Sequence, residues 1–296
     1  MVKKKYLITG AAGFIGNAIY EKMVNDNYDV KGLDNFKFSN KFDKNFIKCD
    51  LLNFNKLKKV IKSFDVVIHL AGIDSRDYFK KKFNYSYDVN VEGSKNIINS
   101  LTNKKKLYFF SSNQVYGKAN YLPLDEDHST NTTDPYALSK LITENTIKIY
   151  SNLKGYKYCI VRNFNTFGPH QNKKSMIPSL IINALKNKKV NIWSGQSIRD
   201  FQFIDDLVDN FLLLINSKND NEIINLSSGR PVKMNYLGNR ISKITNSKLK
   251  IINKKKFLVK NYGSINKLKK ITKGKIKISS LNECLLKTIE FYKKKV

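Results

Sequence analysis

The run Lys5-Tyr6-Leu7-Ile8-Thr9, passing directly into Gly10-Ala11-Ala12-Gly13-Phe14-Ile15-Gly16, constrains this chain more than any other stretch. A short apolar segment of strand type breaks into a glycine turn, and a helical repeat follows over Asn17 to Asn25. The first glycine permits a tight turn, the second lets backbone approach a ligand, and the third lets the helix lie against the strand. The free N–H groups and dipole at the start of such a helix suit a pyrophosphate. A second strand, Asp29 to Leu33, ends at Asp34, where a carboxylate accepts hydrogen bonds from an adenosine ribose and repels a 2′-phosphate. The residues therefore predict a dinucleotide site, and NAD rather than NADP.

The alternation continues. A third strand, Phe46 to Cys49, ends at Asp50-Leu51; a fourth, Asp65 to Leu70, ends at Ala71-Gly72. A helix from Tyr87 to Leu101 carries Asn90 and Gly93, a fifth strand from Leu107 to Phe110 ends in Ser111-Ser112, and a sixth spans Tyr158 to Val161. Strands alternating with helices predict an α/β fold with a doubly wound parallel sheet, in which ligands sit at the carboxyl ends of the strands. His69 is expected as a packed strand histidine rather than a catalyst. Beyond Gly168-Pro169 the alternation loosens, so a first domain over 1–168 and a smaller substrate lobe over 169–296 are expected, part of 200–230 returning to the first. In the lobe, Met176 to Lys188 is an amphipathic helix, an extended run reaches Ile204, Asp205-Asp206 start a helix, Ile223 to Leu226 is a strand, and Ile278 to Tyr292 has a helical stripe.

The stretch Asp134-Pro135-Tyr136-Ala137-Leu138-Ser139-Lys140 sets a phenol and an ammonium at i and i+4, on one face of a helix. A tyrosine normally titrates near pH ~10, and a fixed positive charge favours its phenolate. Tyr136 is thus a candidate general base and acid, with Lys140 as the charge that tunes it. Ser111-Ser112 fall where chemistry is done in such sheets.

Composition narrows the partners. The chain has 296 residues, 41% of them hydrophobic, which is enough for a full core. No apolar run approaches the ~20 residues of a membrane span, and the N-terminus lacks the pattern of a signal peptide, so a cytoplasmic protein is expected. Three scattered cysteines, Cys49, Cys159 and Cys284, indicate neither disulfides nor a metal site. The formal net charge is +30, yet only five of the 54 basic residues are arginine (Arg76, Arg162, Arg199, Arg230, Arg240), and the lysines are spread along the whole length. Arginine is the usual reader of phosphates and base edges, so specific nucleic-acid binding is not expected. Weak, salt-dependent attraction of polyanions and steering of an anionic substrate are.

Taken together, Gly10-x-x-Gly13-x-x-Gly16, Asp34, Asp50-Leu51, His69-Leu70-Ala71-Gly72, Asn90-Val91-x-Gly93, Ser111-Ser112-x-x-Val115-Tyr116-Gly117, Tyr136-x-x-x-Lys140, Arg162-x-x-Asn165-x-Phe167-Gly168-Pro169 and Arg199-Asp200-Phe201 resemble the extended branch of the short-chain dehydrogenase/reductase superfamily. That branch holds the NAD-dependent nucleotide-sugar epimerases and dehydratases. The resemblance, which runs from Tyr6 to about Gly229, implies a Rossmann domain whose NAD is bound by Gly10, Gly13, Phe14, Ile15, Gly16, Asp34, Asp50, Leu51, Leu70, Ala71, Gly72, Asn90, Tyr136 and Lys140. It implies a nucleoside-diphosphate sugar as substrate. Ser112 would hydrogen-bond the sugar hydroxyl being oxidised, Tyr136 would take its proton, Lys140 would bind the nicotinamide ribose, and Asn165 and Arg199 would hold the diphosphate. Relatives that eliminate water usually carry an acid two before the tyrosine of the Val-Tyr-Gly stretch; Asn113 and Gln114 stand there instead, which points to an epimerase, acting at C4. Other outcomes of the same chemistry are a keto-sugar reductase or dehydrogenase, a 4,6-dehydratase, or a non-catalytic member that binds NAD and a polyanion. A homodimer using the helices around Asn90 and Tyr136 is implied as well. Arg76 is expected at the surface. The arginine and aspartate that clamp the nucleotide in many relatives have no counterpart near Gly263 to Lys267, which leaves Arg230, Lys233 and Lys260 as the nearby cations.

Overall fold

In the computed structural model, which describes residues 3–38, 45–74, 76–186, 191–247, 250–252 and 258–296, the N-terminal apolar run is strand β1 (Lys5–Thr9), buried from Tyr6 on. There follow α1 (Phe14–Asn25), β2 (Asp29–Asp34), β3 (Phe46–Lys48), α2 (Phe54–Lys62), β4 (Val66–His69), α3 (Arg76–Lys81), α4 (Phe83–Tyr87), α5 (Gly93–Asn99), β5 (Lys106–Ser112), α6 (Pro135–Lys154) and β6 (Lys157–Asn163). The remainder comprises β7 (Asn165–Phe167), α7 (Met176–Leu185), β8 (Asn191–Trp193), β9 (Ile198–Phe203), α8 (Ile204–Ile215), β10 (Glu222–Leu226), β11 (Pro231–Lys233), α9 (Met234–Thr245), β12 (Lys250–Ile252), β13 (Lys260–Asn261), α10 (Asn266–Ile271) and α11 (Leu281–Lys293). The end of the α7 helix expected at Lys188 lies outside the described residues, as does the side chain of Arg76.

Seven strands form one sheet in the order β10-β6-β5-β4-β1-β2-β3, and β1 pairs in parallel with both β2 and β4. The β2–β3 and β4–β5 pairings are parallel too, as the alternation of strand and helix requires. Strand order reverses between β1 and β4, so the loops leaving their carboxyl ends diverge and open the crevice where such sheets bind ligands. One core forms where Leu7, Leu33, Val67, Leu107 and Phe109 of the strands meet Leu57, Ile61, Ile97, Ile98 and Ile147 of α2, α5 and α6.

Local chemistry sets the helix ends. Asn53 accepts from Lys56 N–H at 3.1 Å to start α2. Asp134 accepts from Ala137 N–H at 3.1 Å to start α6, with Pro135 in the first turn and Gly155 closing the helix at φ 75°. Ser280 caps α11 through Glu283 N–H, a Ser-x-x-Glu start. The helix expected as one piece from Tyr87 to Leu101 is interrupted: Asp88–Glu92 forms a π turn between α4 and α5. The extra residue of that turn places Asn90 inward, a local widening that a 3.6-residue pattern does not reveal.

The chain divides into two compact units, one made of Met1–Lys118, Ser129–Arg162 and Lys218–Ile224, the other of Ala119–His128, Asn163–Ser217 and Asn225–Val296. The second contains β9 flanked by β11 and β13, with β7 pairing its other end, and a separate parallel pair β8–β12. Residues 119–128 belong to it because Leu124 exchanges backbone bonds with Tyr262 O (2.9 Å) and Ser264 N–H (2.7 Å). Among the described residues no helix is long and apolar enough to cross a membrane.

Candidate active site

The cradle at the end of β1 is built from missing side chains. Gly10 sits at φ +72°, and a Cβ there would lie 2.7 Å from Ala71 N, so the turn and the end of β4 touch backbone to backbone. A Cβ on Gly16 would lie 2.1 Å from Gly10 O, which is why the helix can pack onto the turn only with glycine in that place. Gly13 caps α1 with no side-chain hydrogen bond, and the first turn carries no acidic residue. The N–H groups of Phe14, Ile15 and Gly16 therefore head a helix with no acidic side chain in its own first turn, which fits a pyrophosphate. Beside it, Asp34 accepts from Ala12 N–H (3.1 Å) and Phe36 N–H (2.9 Å), so its carboxylate is fixed at the end of β2 with lone pairs to spare for a ribose. Asp50 is gripped by Leu52 N–H (3.0 Å), Asn35 Nδ2 (3.1 Å) and Lys37 Nζ (3.3 Å). Burial alone raises its pKa, but these donors outweigh it and hold the carboxyl below its ordinary value. Leu51 is buried against Gly93, whose Cβ would come within 2.8 Å of it.

The loop after β4 is held from behind. Asn90 accepts from Ile73 N–H at 2.7 Å and gives its two amide protons to Ile73 O (3.0 Å) and Ser139 Oγ (3.1 Å), fixing the Leu70-Ala71-Gly72-Ile73 stretch against α6. Ser94 Oγ gives its one proton to Asn90 O and so accepts from His69 Nε2 at 2.9 Å; Nδ1 of the neutral ring then accepts from Thr9 Oγ1 at 2.8 Å, while Thr9 Oγ1 accepts from Ala71 N–H. Burial, helped by the charge of Lys140, pushes the His69 pKa down to about 3. The imidazole stays neutral and serves packing and hydrogen bonding.

At the end of β5, Ser112 is buried, and its Oγ accepts from Gln114 N–H at 3.2 Å, starting the single 3₁₀ turn Asn113–Tyr116. Tyr136 and Lys140 share a face of α6 as the spacing predicts. Tyr136 is half-buried, its ring edge-on to Phe79 at 6.0 Å between centroids. Lys140 is buried; its Nζ donates to Phe110 O at 3.0 Å and lies 4.9 Å from the Phe109 ring centroid and 6.0 Å from that of Tyr136. Burial lowers the Lys140 pKa to about 8, and Asp74 and Glu144 pull the other way. One turn further along α6, Glu144 accepts from Ser111 Oγ and from Arg162 Nε (3.2 Å) and Nη2 (2.9 Å), with both charges inaccessible to solvent. Glu144 carries no local sequence signal: its partners stand 33 and 18 residues away.

In the second unit, the β7–β9 register sets Asn165 opposite Phe201, and Arg199 lies two residues before Phe201, so Asn165 and Arg199 share one face of that sheet. Asn165 Nδ2 donates to Asp200 O at 2.8 Å. Asp200, on the other face, is fully buried and accepts from Ser228 N–H and Oγ, Gly229 N–H and Gly263 N–H. Burial raises its pKa against the pull of those donors, and the residue acts as a staple rather than a ligand. Arg230 is exposed and donates to Ser279 O at 3.1 Å. Cys49, Cys159 and Cys284 are buried free thiols, and no group that could hold a metal ion occurs among the described residues.

Residues 6–227 match the model of the NAD dependent epimerase/dehydratase family. A Methanocaldococcus jannaschii protein provisionally named a UDP-glucose 4-epimerase is 37% identical over 244 residues, 78% of this chain and 79% of the relative. A UDP-N-acetyl-alpha-D-glucosaminuronate decarboxylase of Bacillus cytotoxicus is 31% identical over 85% of this chain and 83% of its own length. Among solved structures, the UDP-N-acetylglucosamine 4-epimerase of Methanobrevibacter ruminantium, in complex with UDP-N-acetylmuramic acid, superposes with a TM-score of 0.90 at 27% identity over all of both chains.

Proposed function

The chain belongs to the NAD-dependent epimerase/dehydratase family, and from that premise we propose that it is a nucleotide-sugar epimerase, acting at C4 of a nucleoside-diphosphate sugar. The observation that carries this reading is the combination of Ser112, Tyr136 and Lys140 on β5 and α6 with the amides Asn113 and Gln114 in the turn between them. Epimerisation needs one hydroxyl deprotonated, one hydride removed and both returned; dehydration needs a further acid to expel water, and an amide does not titrate. Bound NAD supplies the acceptor and donor of that hydride. Ser112 orients the sugar hydroxyl, Tyr136 takes its proton and later gives it back, and the ammonium of Lys140 favours the phenolate. The α1 N-terminus at Gly13, Phe14, Ile15 and Gly16 would hold the pyrophosphate of the cofactor, Asp34 its adenosine ribose, and Gly10, Asp50, Leu51, Leu70, Ala71 and Gly72 would supply further contacts. Asn90 acts here through the loop it fixes. For the diphosphate of the substrate, Asn165 and Arg199 are the contacts, the guanidinium fork suiting paired oxygens.

A homodimer fits the same reading. Leu138, Ile149 and Leu153 are exposed along α6, Leu153 at 75%, and their spacing aligns them on one outward stripe with the half-buried Ile142. A stripe of that kind on a helix is what a two-fold partner covers.

The test is incubation of the protein with NAD and a panel of uridine, thymidine and guanosine diphosphate sugars, followed by chromatography and mass spectrometry. An isomer of unchanged mass supports epimerisation. A product lighter by water or by carbon dioxide assigns dehydration or decarboxylation instead, and stoichiometric consumption of NADH or release of NADH assigns a reductase or dehydrogenase.

A further inference from the structure

Two consecutive residues of β5 are tied to one face of α6. Lys140 Nζ holds Phe110 O, and one turn later the Glu144 carboxylate holds the Ser111 hydroxyl, at 3.0 and 2.5 Å. The next residue is Ser112. The other end of the turn it starts is held as well, because the Arg162 guanidinium that pairs with Glu144 lies 4.7 Å from the centroid of the Tyr116 ring. Glu144 is 0% exposed and Arg162 3%, and the carboxylate is engaged by a hydroxyl and two guanidinium N–H groups. A buried ion pair is a costly way to fill a core, since apolar residues of similar volume are often as stable. Here the carboxylate lies one helical turn from Lys140 and holds the residue before Ser112 by a hydrogen bond, which apolar packing does not supply.

We infer that Glu144 is a positioning residue for the reaction proposed above: through Ser111 and Arg162 its carboxylate fixes both ends of the Ser112–Tyr116 turn relative to the Tyr136–Lys140 face of α6. The inference rests on that reading for the identity of the chemistry, and on the hydrogen bonds alone for the geometry. A second consequence is electrostatic. The charged and titratable groups around Lys140 are Asp74 from the loop after β4, Glu144 and Tyr136 from α6, and the neutral His69 from β4. Of these, the two carboxylates oppose the desolvation of the ammonium, so Glu144 helps keep Lys140 charged.

Two variants test it. Ser111→Ala removes the grip on β5 without changing any charge, and its kcat should fall about 10- to 100-fold, the order expected of a small misplacement of reacting groups, while KM for the sugar nucleotide and affinity for NAD stay within about twofold. Glu144→Gln alone strands a buried guanidinium and can fail to fold, so the charge is removed as the double variant Glu144→Gln/Arg162→Met, with folding checked by circular dichroism and melting. In wild type the affinity for NAD should weaken as pH rises through the Lys140 titration; in the double variant that limb should move to lower pH. A folded Ser111→Ala protein with kcat within twofold of wild type, or a folded double variant whose NAD-affinity limb stays in place, overturns the inference. Absence of turnover on any sugar nucleotide by the wild type overturns the epimerase reading instead, and the NAD limb then decides the role of Glu144 by itself.

Discussion

Tyr136 and Lys140 were legible because a helix converts a spacing of four into a shared face, and no long-range information is needed to see it. The prediction that follows is sharp: Tyr136→Phe keeps the edge contact with Phe79 and the fold, retains bound NAD, and loses on the order of 10²- to 10⁴-fold in turnover, read as isomer formation against cofactor content of the purified protein. Lys140 carries a second one. Its proton is lost near pH 8 in the folded chain, against 10.5 for an ordinary lysine, because the site is buried. Below pH ~8 both folded and unfolded chains hold that proton, and the folded state bears the full cost of burying the charge. Between about 8 and 10.5 the unfolded chain binds the extra proton, so this group's contribution to stability rises with pH. Lys140→Met should therefore be more stable than wild type at pH 7 by up to a few kcal/mol, with the gap narrowing as pH approaches 10 in urea titrations. Partnerships between distant residues were not legible. Ser111 and Arg162 stand in recognisable motifs, but they meet Glu144 only after β5, α6 and β6 are assembled, and nothing local to Glu144 distinguishes it from any helix glutamate.

Elements were read well where chemistry and periodicity coincide. The strand–glycine–helix start was recoverable because Gly10 and Gly16 are required by backbone contacts that any side chain would violate. Gly16→Ala should consequently destabilise the β1–α1 turn and abolish measurable NAD binding by calorimetry, since a Cβ cannot coexist with Gly10 O at 2.1 Å. The π turn at Asp88–Glu92 was hidden, because one inserted residue hardly perturbs a hydrophobic repeat, yet it aims Asn90 at Ile73. The short strands β8, β11 and β13 were hidden as well, whereas the equally short β3 was not; they are set by neighbours across a sheet and not by their own composition. On α6 the outward stripe makes its own prediction. Ile149→Glu with Leu153→Glu leaves the inward face untouched, so the variant should fold, and light scattering should show the proposed dimer reduced to monomer. An unchanged mass would move the interface elsewhere.

At the scale of the whole molecule the dominating quantity is charge. With 54 basic against 24 acidic residues, the protein carries a formal net charge of +30, whatever the origin of the lysine-rich composition. The nucleoside-diphosphate sugar proposed as substrate is a dianion that such a charge would draw in, whereas the proposed chemical step would take place beside Ser112 and Lys140, which are buried, and the half-buried Tyr136, where salt screens less. The two should separate experimentally. Raising ionic strength from ~0.01 M to ~1 M shrinks the screening length from ~30 Å to ~3 Å, so kcat/KM should fall severalfold or more while kcat stays nearly constant. RNA provides the counter-case. Binding carried by scattered lysines is counterion release, and its affinity should decline steeply with salt and be negligible near ~0.15 M. If RNA instead remains bound at micromolar concentration under those conditions, and no sugar nucleotide is turned over, the basic surface is the functional one and the protein is a non-catalytic polyanion binder. If kcat/KM alone follows the salt, the charge is a funnel for the substrate, and the chemistry belongs to Ser112, Tyr136 and Lys140.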